Sequence, residues 1–259
     1  MEKTRKRINE IIENRGTWTI ILLSIVFVAA LTSFMYLKPK DCLWNFSNIL
    51  KVCNGNTIYK DINIIVTPMF FFLGTVLFKA LGTNYFVYII YNVILWTCIF
   101  TVTYKLFVQL FNKKTSAFYI TLLVMVYSLI LIMACANYNI LSMFFFLLGI
   151  VLKNKFENKK IDVFVQGLMC FVVFFTKQNV GAIYVLSTCI LNIYNFYKEK
   201  DKKYLKELFW ELAVAGVLVL LFLTGLYLKG CINQFISYAV LGLGEFAKYN
   251  MTRFSNRFN

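Results

Sequence analysis

Residues Trp18–Tyr36 are 19 consecutive uncharged and mostly apolar positions. As a helix they span about 28 Å, close to the ~30 Å hydrocarbon thickness of a bilayer. Runs of the same kind recur at Tyr85–Tyr104, Ser116–Ala136, Val180–Tyr197 and Leu208–Leu228, with two shorter ones at Tyr138–Leu152 and Val163–Thr176. The chain is 60% hydrophobic, whereas soluble domains use about 45–50%. The expected fold class is an all-α polytopic protein of the cell membrane, with about seven transmembrane helices. A cleaved signal peptide has an apolar region of only about 7–15 residues before a small-residue cleavage site. Trp18–Tyr36 is longer and lacks a clean A-x-A, so it is expected to stay as the first span.

Ile64–Leu81 is also apolar enough to cross, and charge decides against it. If it does not cross and the N-terminus is cytoplasmic, the cytoplasmic stretches are 1–16, 105–115, 153–162 and 198–207. These hold 17 of the 27 Lys and Arg residues, as the positive-inside bias requires. If it crossed, the last three stretches would face outward. Ile64–Leu81 is therefore expected to be a re-entrant or surface-lying extracytoplasmic helix, tolerated because it packs on protein. The organisation is a basic cytoplasmic N-terminus (1–16), a transmembrane domain (17–228) with an outer loop at 38–84, and an extracytoplasmic segment (229–259). Loop lysines account for the net charge of +15, so nucleic acid is not an expected partner.

The chain has no histidine, which removes His-based metal sites and Ser-His or Cys-His catalysis. Its seven cysteines form no C-x-x-C. If the outer loop is helical, Cys42 and Cys53 lie about 16 Å apart along it, too far for a disulfide. Asp41 and Asp61 are the only acids between Glu13 and Glu157. Either they serve chemistry or they are solvated loop acids pairing with Lys40 and Lys60. The short runs Tyr138–Leu152 and Val163–Thr176 imply outer ends, Asn137-Tyr138-Asn139 and Thr176-Lys177-Gln178-Asn179, lying below the membrane surface. A recessed Lys177 among amides suits an anion at headgroup depth; a lysine snorkelling to the interface accounts for the same residue.

Several of these residues also carry a resemblance. A basic N-terminus and one span precede an outer loop with Asp41 near its start. Then come Gly55-Asn56-Thr57-Ile58-Tyr59-Lys60-Asp61, Thr67-Pro68, an apolar helix ending Phe78 to Gly82, and later Thr176-Lys177-Gln178. This resembles bacterial members of the GT-C glycosyltransferase superfamily, close to the dolichyl-phosphate-mannose protein mannosyltransferase-like group. The family often has an Asp-Glu pair where this chain has Asp41-Cys42. Its members are usually longer, so by resemblance the chain is a truncated member and 229–259 an incomplete segment.

The resemblance implies transfer of a sugar from a polyprenyl-phosphate donor to a lipid, glycan or protein acceptor on the outer face. Asp41 and Asp61 would then be catalytic, with Tyr59, Lys60, Asn137, Asn139, Lys177 and Gln178 binding substrate. No cofactor is fixed, and the Asp41 carboxylate is able to bind a divalent cation as well as accept a proton. The alternatives are a transporter or flippase of a lipid-linked or small polar substrate, or a non-catalytic truncated membrane partner. Against transport stands the expectation that no ionisable residue sits mid-span as a coupling site.

Overall fold

The computed structural model describes residues 2–33, 40–133, 135–153, 155–242 and 244, with side chains from Ile12 onward except Lys40. Its regular structure is helical: α1 Glu2–Ser33, α2 Lys40–Cys53, α3 Met69–Leu81, α4 Tyr85–Phe111, α5 Lys114–Tyr127, α6 Leu129–Met133, α7 Tyr138–Leu152, α8 Lys159–Thr176, α9 Gln178–Glu199, α10 Lys203–Leu228 and α11 Ile232–Phe235. A π-helical turn, Ile236–Leu241, follows. No strand occurs among the described residues. Four helices are long and apolar enough to cross a membrane: α1 from Ile12, α4, α9 and α10. Large apolar side chains such as Leu22, Val26, Leu186, Leu220 and Leu221 stay exposed on them, as a lipid-facing surface would be.

Asparagines start three of the helices. Asn84, Asn137 and Asn158 each cap a helix, accepting from Val87 N, from Asn139 N and Ile140 N, and from Lys160 N. Such caps satisfy amides that have no intrahelical partner.

Contacts set the direction of each helix. Gly16 of α1 lies against Tyr104 near the end of α4, and Lys114 Nζ donates to the Glu13 carbonyl, so α1 and α4 run antiparallel. Tyr88 donates to Ala136 O just before α7, and Gln109 Nε2 to Val151 O at the end of α7, so α4 and α7 run parallel. Helix α8 returns and α9 follows it antiparallel, since Tyr184 reaches Gln166 and Gly181 meets Phe174. The basic stretches 1–16, 105–115, 153–162 and 198–207 therefore collect at one end of the bundle. The chain between α1 and α4 leaves and re-enters at the other, with α3 packed on the Tyr91–Cys98 part of α4.

Three expectations change in detail. The basic N-terminal stretch is itself helical, and a kink at Arg15 (φ −131°, ψ 16°) separates it from the apolar helix that follows. The helix expected over Ile64–Leu81 starts at Met69, because 64–68 is a bent, non-helical segment with Ile64, Thr67 and Pro68 buried. The run Ser116–Ala136 is divided into α5 and α6 at Ser128. The span expected at Val163–Thr176 begins at Lys159 and has 18 residues, about 27 Å. Residues 245–259, with the Lys38-Pro39 pair, lie outside the described residues.

Candidate functional site

The chain between α1 and α4 contains α2, an unbroken helix that carries Cys42 and Cys53 at opposite ends, which precludes a disulfide between them. Asp41 sits in its first turn, exposed, with its carboxylate in electrostatic reach of Tyr138. That places Asp41 beside Asn137 and Asn139. Asp61 is elsewhere. Helix α2 is about 20 Å long, and the backbone bonds Asn56 N to Lys51 O and Asp61 N to Thr57 O hold the following loop at its far end. The loop therefore does not bring Asp61 back towards Asp41. The Asp61 carboxylate instead accepts from Thr57 N at 2.7 Å, closing its own turn.

Three other expected ligands are similarly occupied. Tyr59 is buried, takes positive φ (71°), donates to Val66 O at 2.9 Å and packs edge-on against Phe235. Burial raises its phenol above the ordinary tyrosine range. Asn137 is the α7 cap described above. Gln178 donates to Ile65 O (3.2 Å) and Ala239 O (3.0 Å), tying the 64–68 segment and the π-helical turn to the start of α9. Thr67 Oγ1 to Phe174 O (3.1 Å) adds to the same seam.

Lys177 differs from these. It is both the last cap of α8 and the first of α9, a single extended residue (φ −157°, ψ 117°) at the apex of a helical hairpin. Among the described residues its ammonium has no hydrogen bond or ion pair, and burial pulls it below the ordinary lysine range. Asp41, Lys60 and Asn139 likewise have side chains without a hydrogen bond or ion pair among the described residues, and all three are exposed. Thus the end opposite the basic loops presents Lys177 and Asp41 with Asn139, while Tyr59, Asp61, Asn137 and Gln178 hold the backbone that carries them. A small cavity of ≈ 190 Å³ lies between Asn56, Tyr59, Pro68, Phe72, Lys229 and Cys231. No cluster of three or more His, Cys, Asp or Glu able to hold a metal occurs among the described residues.

A second polar group escaped the sequence. Glu211, eight residues into α10, is 2% exposed and accepts from Asn192 Nδ2 of α9 at 2.9 Å. Asp162 of α8 is also buried, with Oδ1 unpartnered, and Lys153 Nζ at the end of α7 is buried and unpartnered. Lys153 and Asp162 are both in electrostatic reach of Glu211. Nearby, Gln166 donates to Gly149 O and accepts from Tyr184. Glu211 is the fourth residue of the run Leu208–Leu228, one turn from the basic loop and not mid-span, and its signal in the sequence was only one acid close to that loop. No protein-family model, curated protein or solved structure matches the chain.

Proposed function

We propose that the chain is a multi-pass membrane glycosyltransferase of the GT-C type. Its seven crossings would be α1, α4, α5 with α6, α7, α8, α9 and α10, with the lysine-rich end cytoplasmic and α2 and α3 on the outer side. The supporting observation is Lys177, an unpaired, partly buried cation at a hairpin apex, at the same end of the bundle as the exposed Asp41. An anionic phosphate at headgroup depth would supply the missing partner through charge-assisted hydrogen bonds. Asp41 would accept the proton of the acceptor hydroxyl as its oxygen bonds to the anomeric carbon and the polyprenyl phosphate leaves.

The test is transfer of a labelled sugar from a polyprenyl-phosphate donor in membranes holding the chain. Asp41→Asn keeps shape and removes the base, and is expected to cut transfer by roughly 100-fold at unchanged expression. Lys177→Ala is expected to weaken donor binding by about 1.5–3 kcal/mol. Wild-type transfer by Asp41→Asn overturns the proposal.

A transporter is the second reading, and the buried Glu211 group favours it, because ionisable residues inside membrane helices commonly mark ion or substrate paths. Solute or proton flux in liposomes that Glu211→Gln abolishes, with no sugar transfer, would select it.

A further inference from the structure

At the lysine-rich end, away from Lys177 and Asp41, four stretches of chain surround a cavity of ≈ 400 Å³. They are the break in α1, the last turns of α4, the start of α5 and the segment after α7. Gly16 is pressed against Tyr104, which brings α1 and α4 together at this level and sets Arg15 beside Lys105. Lys114 and Lys155 complete the rim, with Thr17 and Gln109 as neutral polar groups. Glu13 is the one acid in the lining, and its Oε1 already accepts from the Thr115 hydroxyl at 3.1 Å. Lys114 spends a donor on the Glu13 carbonyl, not on a carboxylate. The side chains of Arg15, Lys105 and Lys155 have no hydrogen bond or ion pair among the described residues.

Positive-inside bias explains lysines in these loops but not their convergence on one concavity. Like charges gathered around a hollow repel one another and raise the local concentration of anions. The volume lies within the usual range of small-ligand sites. Trp18 also lines the cavity and is 68% exposed, and Leu22, Leu110 and Phe111 continue an exposed apolar surface from its edge. A ligand here meets cations at one side and lipid-facing surface at the other.

We propose that this cavity binds a phosphate anion, supplied by the headgroup of an anionic phospholipid. Arg15 would engage two phosphate oxygens through its planar fork, and Lys105 and Lys155 would act as point charges. The acyl chains would run along Trp18 and Leu22.

Native mass spectrometry of the full chain in neutral detergent, titrated with phosphatidylglycerol, tests this. Each cation near a lipid surface is worth about a fivefold change in affinity, so Arg15→Gln with Lys105→Gln is expected to weaken binding about 25-fold. Lys113→Gln with Lys198→Gln removes the same charge from exposed positions outside the cavity and is expected to change it less than threefold. Equal thermal midpoints confirm that both variants are folded. Equal weakening by the two pairs would mean diffuse attraction and overturn the proposal, as would equal binding of phosphatidylcholine. A parallel titration with inorganic phosphate separates the sources. If the cavity variant loses inorganic phosphate but keeps phosphatidylglycerol, the lipid assignment is overturned.

Discussion

Gly167 of α8 faces the backbone of α10, and replacing it with alanine should open the most heavily packed helix pair in the bundle. A Cβ at this position would lie 2.6 Å from the Glu211 carbonyl oxygen and 2.7 Å from Val214 Cβ. Ordinary contact begins at 3.4 Å, so α8 and α10 must separate by about 0.8 Å, the difference of the two distances. Neither obstacle is a flexible side-chain tip, so no rotamer change relieves it. Overpacking of this kind costs about 1–3 kcal/mol. The displaced Glu211 also strains its 2.9 Å bond to Asn192, and hydrogen bonds to charged groups are worth about 1.5–3 kcal/mol. A loss of about 3 kcal/mol is expected, a fall in the thermal midpoint on the order of 6–12 °C. The assay is thermal unfolding in mild detergent, followed with a thiol-reactive dye reporting the buried Cys170. Gly216→Ala on α10, with nothing within 4 Å of its Cβ, is the control and should be neutral or stabilising by up to about 1 kcal/mol. Equal midpoints for the two variants would refute the close contact of α8 with α10.

Asn192→Leu should leave the Glu211 carboxylate buried without its donor and cost about 1–3 kcal/mol, read by the same unfolding assay. Lys177 is lowered by burial, so just below pH 10.5 the unfolded chain binds more protons than the folded one and stability rises with pH. Lys177→Met should remove that rise, measured as the difference in thermal midpoint between variant and wild type across the alkaline range. In a background lacking the native cysteines, Lys60→Cys and Asn139→Cys should react with an impermeant maleimide on intact cells, while Lys113→Cys and Lys202→Cys should not; the reverse pattern would invert the proposed orientation.

Much of the architecture could be read from charge and apolar runs because both are local. The bounds Tyr138–Leu152 follow from an uncharged run that an asparagine precedes. Helix α2 was hidden because its inward face is polar: Cys42, Asn45, Asn48 and Ile49 are buried at helical spacing, and two asparagines mask the apolar period. Helix α8 looked short because its first turn is charged, yet Asp162 in that turn faces inward. Glu211 was illegible for a different reason. Its burial depends on α8 coming close at Gly167 and on Asn192 arriving from α9, contacts between segments that no local pattern records. At the outer end, residue types alone did not separate Lys177, which is free, from Gln178, which ties down two backbone carbonyls.

The pairing of Asn192 with Glu211 bears on how the chain is made. An acid one turn inside a membrane helix carries a cost, below the roughly 2.5–3.5 kcal/mol of a charge at the helix centre, when that helix enters a bilayer by itself. Synthesis proceeds from the N-terminus, so Asn192 emerges 19 residues ahead of Glu211, across the short turn between α9 and α10. The donor is therefore already beside the insertion site when the acid arrives. Helices α9 and α10 would enter best as a pair, and α10 moved out of its context should integrate less efficiently than the same helix preceded by α9.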